Sequence, residues 1–162
     1  MANYYSYMRI STKIDRDKQS YTRQESALAK YAENNKIEYV FQFKEDVSGM
    51  SFENRAEWQR IEKIVQPGDT IVFKDISRFT REAEAGYTKY MGLMNKGVNL
   101  VFIDNPTIST DYIKELLHIA EQQDLVAKTS LESTVKLLLI VELNRAEQER
   151  LTLKKRTKDG MA

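Results

Sequence analysis

With 162 residues, 41% of them hydrophobic and 30% charged, the chain has the size and composition of one compact soluble domain with a projecting element. It has no cysteine and a single histidine, His118, which excludes disulfides, thiolate metal sites and multi-histidine zinc sites, and makes the reducing cytoplasm the expected compartment. The formal charge of +1 is silent about nucleic acid, and the longest apolar run, 137–141, is far shorter than the roughly 20 residues that span a bilayer, so no membrane association is expected.

Met1-Ala2-Asn3 leads straight into a strand-like segment without a signal peptide, and Tyr4–Ile10, rich in aromatic and β-favouring residues, is predicted as the first strand. Residues 20–34 follow as a helix, with Thr22-x-x-Glu25 offering a capping box at its start. A second strand is predicted over 38–43 and a helix over 55–65. The turn Pro67-Gly68-Asp69 then feeds a third strand over 70–76. A helix over 82–95 closes at Gly97, and 98–103 is the fourth strand. This alternation predicts an α/β fold, a mostly parallel sheet of four or more strands with helices on both faces, because each parallel neighbour requires a crossover.

Beyond Asn105-Pro106 the pattern becomes helical, over 111–126 and then over 131–158, the latter about 40 Å long at 1.5 Å per residue. Its apolar positions, Leu131, Val135, Leu138, Leu139, Leu143, Ala146 and Leu153, keep helical spacing in the first half and thin out towards a basic end with Lys154, Lys155, Arg156 and Lys158. Self-association through the first half and packing against the chain's own domain both fit this pattern. The basic end reads first as a solvated helix terminus.

Ligands of open parallel sheets gather at the carboxyl ends of the strands. At the first such exit, strand alternation puts Tyr7, Arg9 and Ser11 on one face and Met8 and Ile10 on the other. The second exit reads Glu45-Asp46-Val47-Ser48-Gly49, with Arg55 following. The third reads Asp75-Ile76-Ser77-Arg78-Phe79-Thr80-Arg81, where Arg78 and Arg81 share a face if a helix has begun. Hydroxyls among arginines suit a phosphate, since guanidinium forks match its oxygens and stabilise charge developing during phosphoryl transfer. Each arginine could instead cap a helix or pair with Glu53, Asp75 or Glu82, and each serine could cap a turn.

The series Tyr7-x-Arg9-Ile10-Ser11-Thr12, Gln19 and Gln24, Ser48-Gly49 with Arg55, and Ser77-Arg78-Phe79-x-Arg81 resembles the serine recombinase (resolvase/invertase) family in order and spacing, over essentially the whole chain. The resemblance implies that Ser11 is a nucleophile that becomes linked to a DNA 5′ end as phosphoserine and frees a 3′ hydroxyl. It implies that Arg9, Arg78 and Arg81 bind the scissile phosphate with Arg55 close by, that Gln24 and Ser48 support them, and that Tyr7 positions the strand end. Double-stranded DNA is the implied partner, contacted also by Gln19, Arg150, Lys154, Lys155 and Arg156. A homodimer would assemble to a tetramer on DNA, cut all four strands, rotate and reseal them, with no cofactor, metal or ATP. Residues 1–130 would be the catalytic domain and 131–162 a helix for dimerisation and DNA contact, with a downstream DNA-binding domain absent from this chain.

Asn54-Arg55 and Ile76-Ser77-Arg78-Phe79 look more like the large integrase or transposase type than the small resolvases. Ser77 stands where many small members carry an aspartate before the arginine, which leaves Asp75, Glu45 and Asp46 as candidate acids. The segments 13–18 and 107–130 are longer than in those members. His118 is read as a structural helix residue. Two other readings stay open: a metal-dependent nuclease or phosphatase using Asp46, Asp75 and Asp104, and a non-catalytic module that dimerises through 131–143.

Overall fold

A computed structural model describes residues 2–10, 19–46, 52–80, 82–122 and 124–160, the last helix mainly by its backbone beyond residue 145. Strands β1 (Tyr4–Ile10), β2 (Tyr39–Asp46), β3 (Thr70–Phe73) and β4 (Asn99–Phe102) form one sheet in the order β2-β1-β3-β4. Every pairing in it is parallel. Helices α1 (Gln19–Asn35), α2 (Ala56–Ile64), α3 (Ile76–Phe79), α4 (Ala83–Lys96) and α5 (Thr110–Glu121) connect the strands or follow them, and α6 (Leu125–Gly160) ends the chain. The predicted α/β class with its long last helix is the observed one.

Strand alternation divides the interior into two unequal cores. Tyr5, Tyr7, Phe43, Ile71, Phe73, Leu100 and Phe102 face the large one, which α2, α4, α5 and α6 complete with Trp58, Ile61, Tyr90, Leu93, Ile113, Val135 and Leu139. Met8, Leu28 and Val72 form the smaller core, rimmed by Tyr4, Tyr21, Tyr31 and Tyr39. Trp58 is the hub of the large core. Its ring centroid lies 5.3 Å from Tyr7, 5.3 Å from Phe52 and 5.6 Å from Phe79.

Several boundaries depart from expectation, each for a local reason. Helix α1 starts at Gln19, so Thr22 stands inside the helix and the capping box is not used. Strand β2 runs to Asp46 instead of stopping at Phe43, because β1 pairs with it as far as Ile10↔Asp46. Strand β3 stops at Phe73 rather than 76: Asp75 turns the chain there and its carboxylate accepts from the Ser77 N–H, starting α3. The helix expected over 111–126 ends at Glu121, and α6 starts at Leu125 because Asp124 accepts from the Ala127 N–H as its N-cap. The last helix therefore has 36 residues, about 54 Å, rather than the shorter span expected from 131.

At the open edge of β4, the Leu100 and Phe102 N–H groups donate to the hydroxyls of Thr110 and Ser109. Two side chains thus replace a fifth strand, and those donors are not left for an unwanted pairing. Gly97 caps α4 at φ 92°, as its place in the sequence predicts, and a Cβ there would lie 3.1 Å from that of Pro67.

Burial pushes the phenols of Tyr7, Tyr39 and Tyr90 well above the ordinary tyrosine range, and that of Tyr21 up to about 12. The folded chain therefore keeps protons that the unfolded chain loses above about pH 10. These phenols are expected to leave stability level from about pH 8 to about 10 and to lower it as pH rises from 10 towards 12. Urea unfolding between pH 8 and 12 measures this; a free energy that stays constant across the range would contradict it.

Candidate active site

The carboxyl ends of β1, β2 and β3 converge on α3. This helix is one turn long, and its last carbonyls cannot be satisfied from within it, apart from that of Ile76, which accepts from the Thr80 N–H. Arginines take the others. The Arg9 guanidinium donates to the Ser77 and Arg78 carbonyls, and that of Arg55 donates to the Phe79 carbonyl. Cations at the negative end of a helix are favoured, which gives a physical reason for two arginines from distant sequence to meet there. Both are buried, each 1% exposed. Arg55 also lies over the Phe52 ring, 4.6 Å from its centroid.

Arg78, on α3 itself, donates through Nη1 to the Arg9 carbonyl at 3.0 Å and faces Asp75 Oδ2 through Nε at 3.5 Å. Gln24 of α1 clamps the same stretch of β1: its Oε1 accepts from the Arg9 N–H at 3.1 Å and its Nε2 donates to the Arg9 carbonyl at 3.2 Å. Strand β3 pairs with β1 only as far as Ser6, so Gln24 supplies contacts where no strand continues. The main chain just before Ser11 is thus held by α1 and α3 together.

Tyr7 donates from its hydroxyl to Glu45 Oε1 at 3.2 Å. Burial is the main cause of its raised pKa, with the Glu45 charge adding to it and those of Arg55 and Arg9 opposing it. The Glu45 carboxylate also accepts from the Trp58 N–H at 3.0 Å and the Glu57 N–H at 3.3 Å. Arg55 is the N-cap residue of α2 but makes no side-chain cap bond. Glu45, from a neighbouring strand, does that work and favours the helix dipole. Ending β2 at Phe43 hid this; continued alternation of Phe41, Phe43 and Glu45 on one face was the available signal.

Of the residues singled out in the sequence, Tyr7, Arg9, Gln24, Arg55 and Arg78 come together in this cluster. Ser11, Ser48 and Arg81 lie outside the described residues. Helix α3 stops at Phe79 and Thr80 is extended; the face expected to be shared by Arg78 and Arg81 lies outside the described residues. Gln19 opens α1, and Arg150, Lys154, Lys155 and Arg156 lie along α6; the side chains of all five lie outside the described residues. His118 is exposed on α5, with its ring 3.2 Å from Gln122 Nε2.

Asp46, Asp75 and Asp104 do not form one ligand set. Asp46 ends β2 at one edge of the sheet and Asp104 follows β4 at the other, three strand spacings or about 14 Å away. Lys74 already neutralises the other two, with Nζ 2.6 Å from Asp104 and 3.9 Å from Asp75. Among the described residues no group of three or more potential ligands is placed to hold a metal. On α6, Val135 and Leu139 are buried in the chain's own core, whereas Leu137 and Val141 are exposed. The helix thus packs on its domain and also presents apolar side chains outward.

Arginines thus gather at the carboxyl edge of an all-parallel four-stranded α/β domain, the edge at which ligands of such sheets bind. A family profile described as "Resolvase, N terminal domain" matches residues 4–162, and the chain belongs to that family, the serine recombinases. Solved structures agree in fold. The N-terminal catalytic domain of TP901-1 integrase superposes with a TM-score of 0.57 at 17% identity, covering 91% of this chain and 97% of that one. A resolvase family site-specific recombinase from Streptococcus pneumoniae gives 0.54 at 20% identity, covering 99% and 96%. The C-terminal catalytic domain of ISC1926 TnpA, an IS607-like serine recombinase, gives 0.52 at 18% identity, covering 84% and 98%. Sequence comparison with curated proteins finds no significant match. Among the described residues no helix is long and apolar enough to cross a membrane.

Proposed function

We propose that the chain is the catalytic domain of a site-specific DNA recombinase in which Ser11 is the nucleophile. The observation that carries this reading is the gathering of Arg9, Arg55 and Arg78 around α3, against the main chain that leads directly into Ser11. The serine oxygen attacks a backbone phosphorus and the bond to the 3′ oxygen breaks. A 5′-phosphoserine and a 3′ hydroxyl result, the leaving oxygen taking up a proton as the serine loses one. Negative charge grows on the non-bridging oxygens, which is where guanidinium donors are most effective. Attack by the 3′ hydroxyl of another strand reverses the step, so the ester keeps the energy needed for rejoining.

Arg81 and Ser48 join this site, and Gln24 and Tyr7 hold its strand. Arg150, Lys154, Lys155 and Arg156 on α6, with Gln19 on α1, contact the DNA backbone, where each neutralised phosphate adds to the salt sensitivity of binding. The outward Leu137 and Val141 suit pairing of two copies, and two such pairs make the tetramer that exchanges strands. The residues before Leu125 form the catalytic unit and α6 is its dimerisation and DNA arm; the protein acts in the cytoplasm.

The test is incubation with 3′-end-labelled random-sequence duplexes in excess EDTA, followed by denaturing electrophoresis. A protease-sensitive, denaturation-resistant adduct is expected. Cleavage that needs a divalent metal and leaves no adduct would replace this reading with a metal-dependent nuclease.

A further inference from the structure

Ser77 brings no charge to the residue before Arg78, yet a carboxylate is present beside that arginine. Asp75 is extended, at φ −148° and ψ 170°, and its side chain folds over the start of α3. Its Oδ1 accepts from both the N–H and the hydroxyl of Ser77. Its Oδ2 faces Arg78 Nε at 3.5 Å as an ion pair rather than a hydrogen bond, and both side chains are largely shielded, with 21% and 17% of their surfaces exposed. Lys74 stands 3.9 Å from the same oxygen but bonds Asp104 more closely, at 2.6 Å. Arg78 then passes the constraint on, through its bond to the Arg9 carbonyl. Glu45 is unsuited to this role, since its carboxylate is committed to Tyr7 and the start of α2.

We propose that Asp75 is the positioning carboxylate of the phosphate site: the Ser77 hydroxyl holds one of its oxygens so that the other orients the Arg78 guanidinium. The inference rests on the reading of Arg78 as a phosphate-binding residue. Asp75 touches no reacting atom; it acts through Arg78. It differs from a simple N-cap because an uncharged cap would start α3 equally well but would not hold a guanidinium.

Asp75→Asn separates the two roles, since asparagine caps helices about as well as aspartate. Three measurements are made on the whole chain: thermal unfolding, hydrogen exchange of the Arg78 Nε–H by ¹⁵N-edited NMR, and adduct formation at saturating random-sequence duplex. Asp75→Asn is expected to unfold near the wild-type temperature and to exchange the Arg78 Nε–H faster. Adduct formation is expected to slow by about fivefold, the upper end for a partly screened ion pair, with little change in DNA affinity. Asp75→Asn/Ser77→Asp returns a carboxylate to the position that Ser77 already brings against Asp75, and should recover both slow exchange and adduct rate. Wild-type Arg78 exchange in Asp75→Asn, or failure of the double variant to recover it, would overturn the proposal. The exchange measurement does not depend on cleavage, so if no variant forms an adduct, the recombinase reading fails while Asp75 is still decided by Arg78.

Discussion

Ser11→Ala is expected to form no covalent adduct while still retaining DNA. The substitution removes one oxygen and leaves Arg9, Arg55 and Arg78 with the partners that hold them: the α3 carbonyls, Asp75 and the Arg9 carbonyl. Binding to DNA should persist, visible as a gel shift at low salt, because it depends on the chain's cations, those of α6 included, rather than on one hydroxyl. Cleavage should vanish rather than slow, since on the proposed reading water would have to replace a nucleophile that belongs to the chain itself; intramolecular placement of a nucleophile is worth about 10⁵ M or more in effective concentration. Adduct formation by Ser11→Ala at the wild-type rate would exclude Ser11 as the attacking group. Loss of both adduct and gel shift would show that the substitution damages the site as a whole.

Trp58→Ala is expected to lower stability by about 3–5 kcal/mol, as for other large aromatic truncations in cores. Trp58 is completely buried and joins Tyr7 of β1, Phe52, Phe73 of β3 and Phe79 of α3, so the cavity would open beneath all the elements that carry the arginines. Such a loss is a large part of the roughly 5–15 kcal/mol that holds a domain together. Urea unfolding measures it, and a loss below about 1 kcal/mol would contradict the hub role. Trp58→Phe should cost less, because it keeps a ring against Tyr7 and Phe79. It also removes an indole N–H that has no hydrogen-bond partner among the described residues.

The order of strands and helices was legible because it rests on local patterns: the aromatic, β-favouring run of β1, the glycine stop at Gly97, the turn at Pro67-Gly68. Boundaries set by a distant partner were not. The extension of β2 to Asp46 depends on pairing with β1, and the start of α2 on Glu45, eleven residues before Ala56. The N-cap Asp124 was a local signal, but it was concealed by apolar residues that continue the helical pattern on both sides of the break.

For the candidate site, the chain's own residues determined which chemical groups are available and at which strand ends: arginines and hydroxyls, with a single histidine and no cysteine to offer other chemistry. The motif order also determined the family. Only the tertiary structure decided which groups meet. Arg9 and Arg55 converge because a one-turn helix leaves its terminal carbonyls without partners of its own, and Asp75 rather than Glu45 or Asp46 faces Arg78. The carboxylate of Glu45, equally acidic in the sequence, is held instead by backbone N–H groups of α2. Residue type sets what a side chain can do; the orphan donors and acceptors left by neighbouring elements decide what it does.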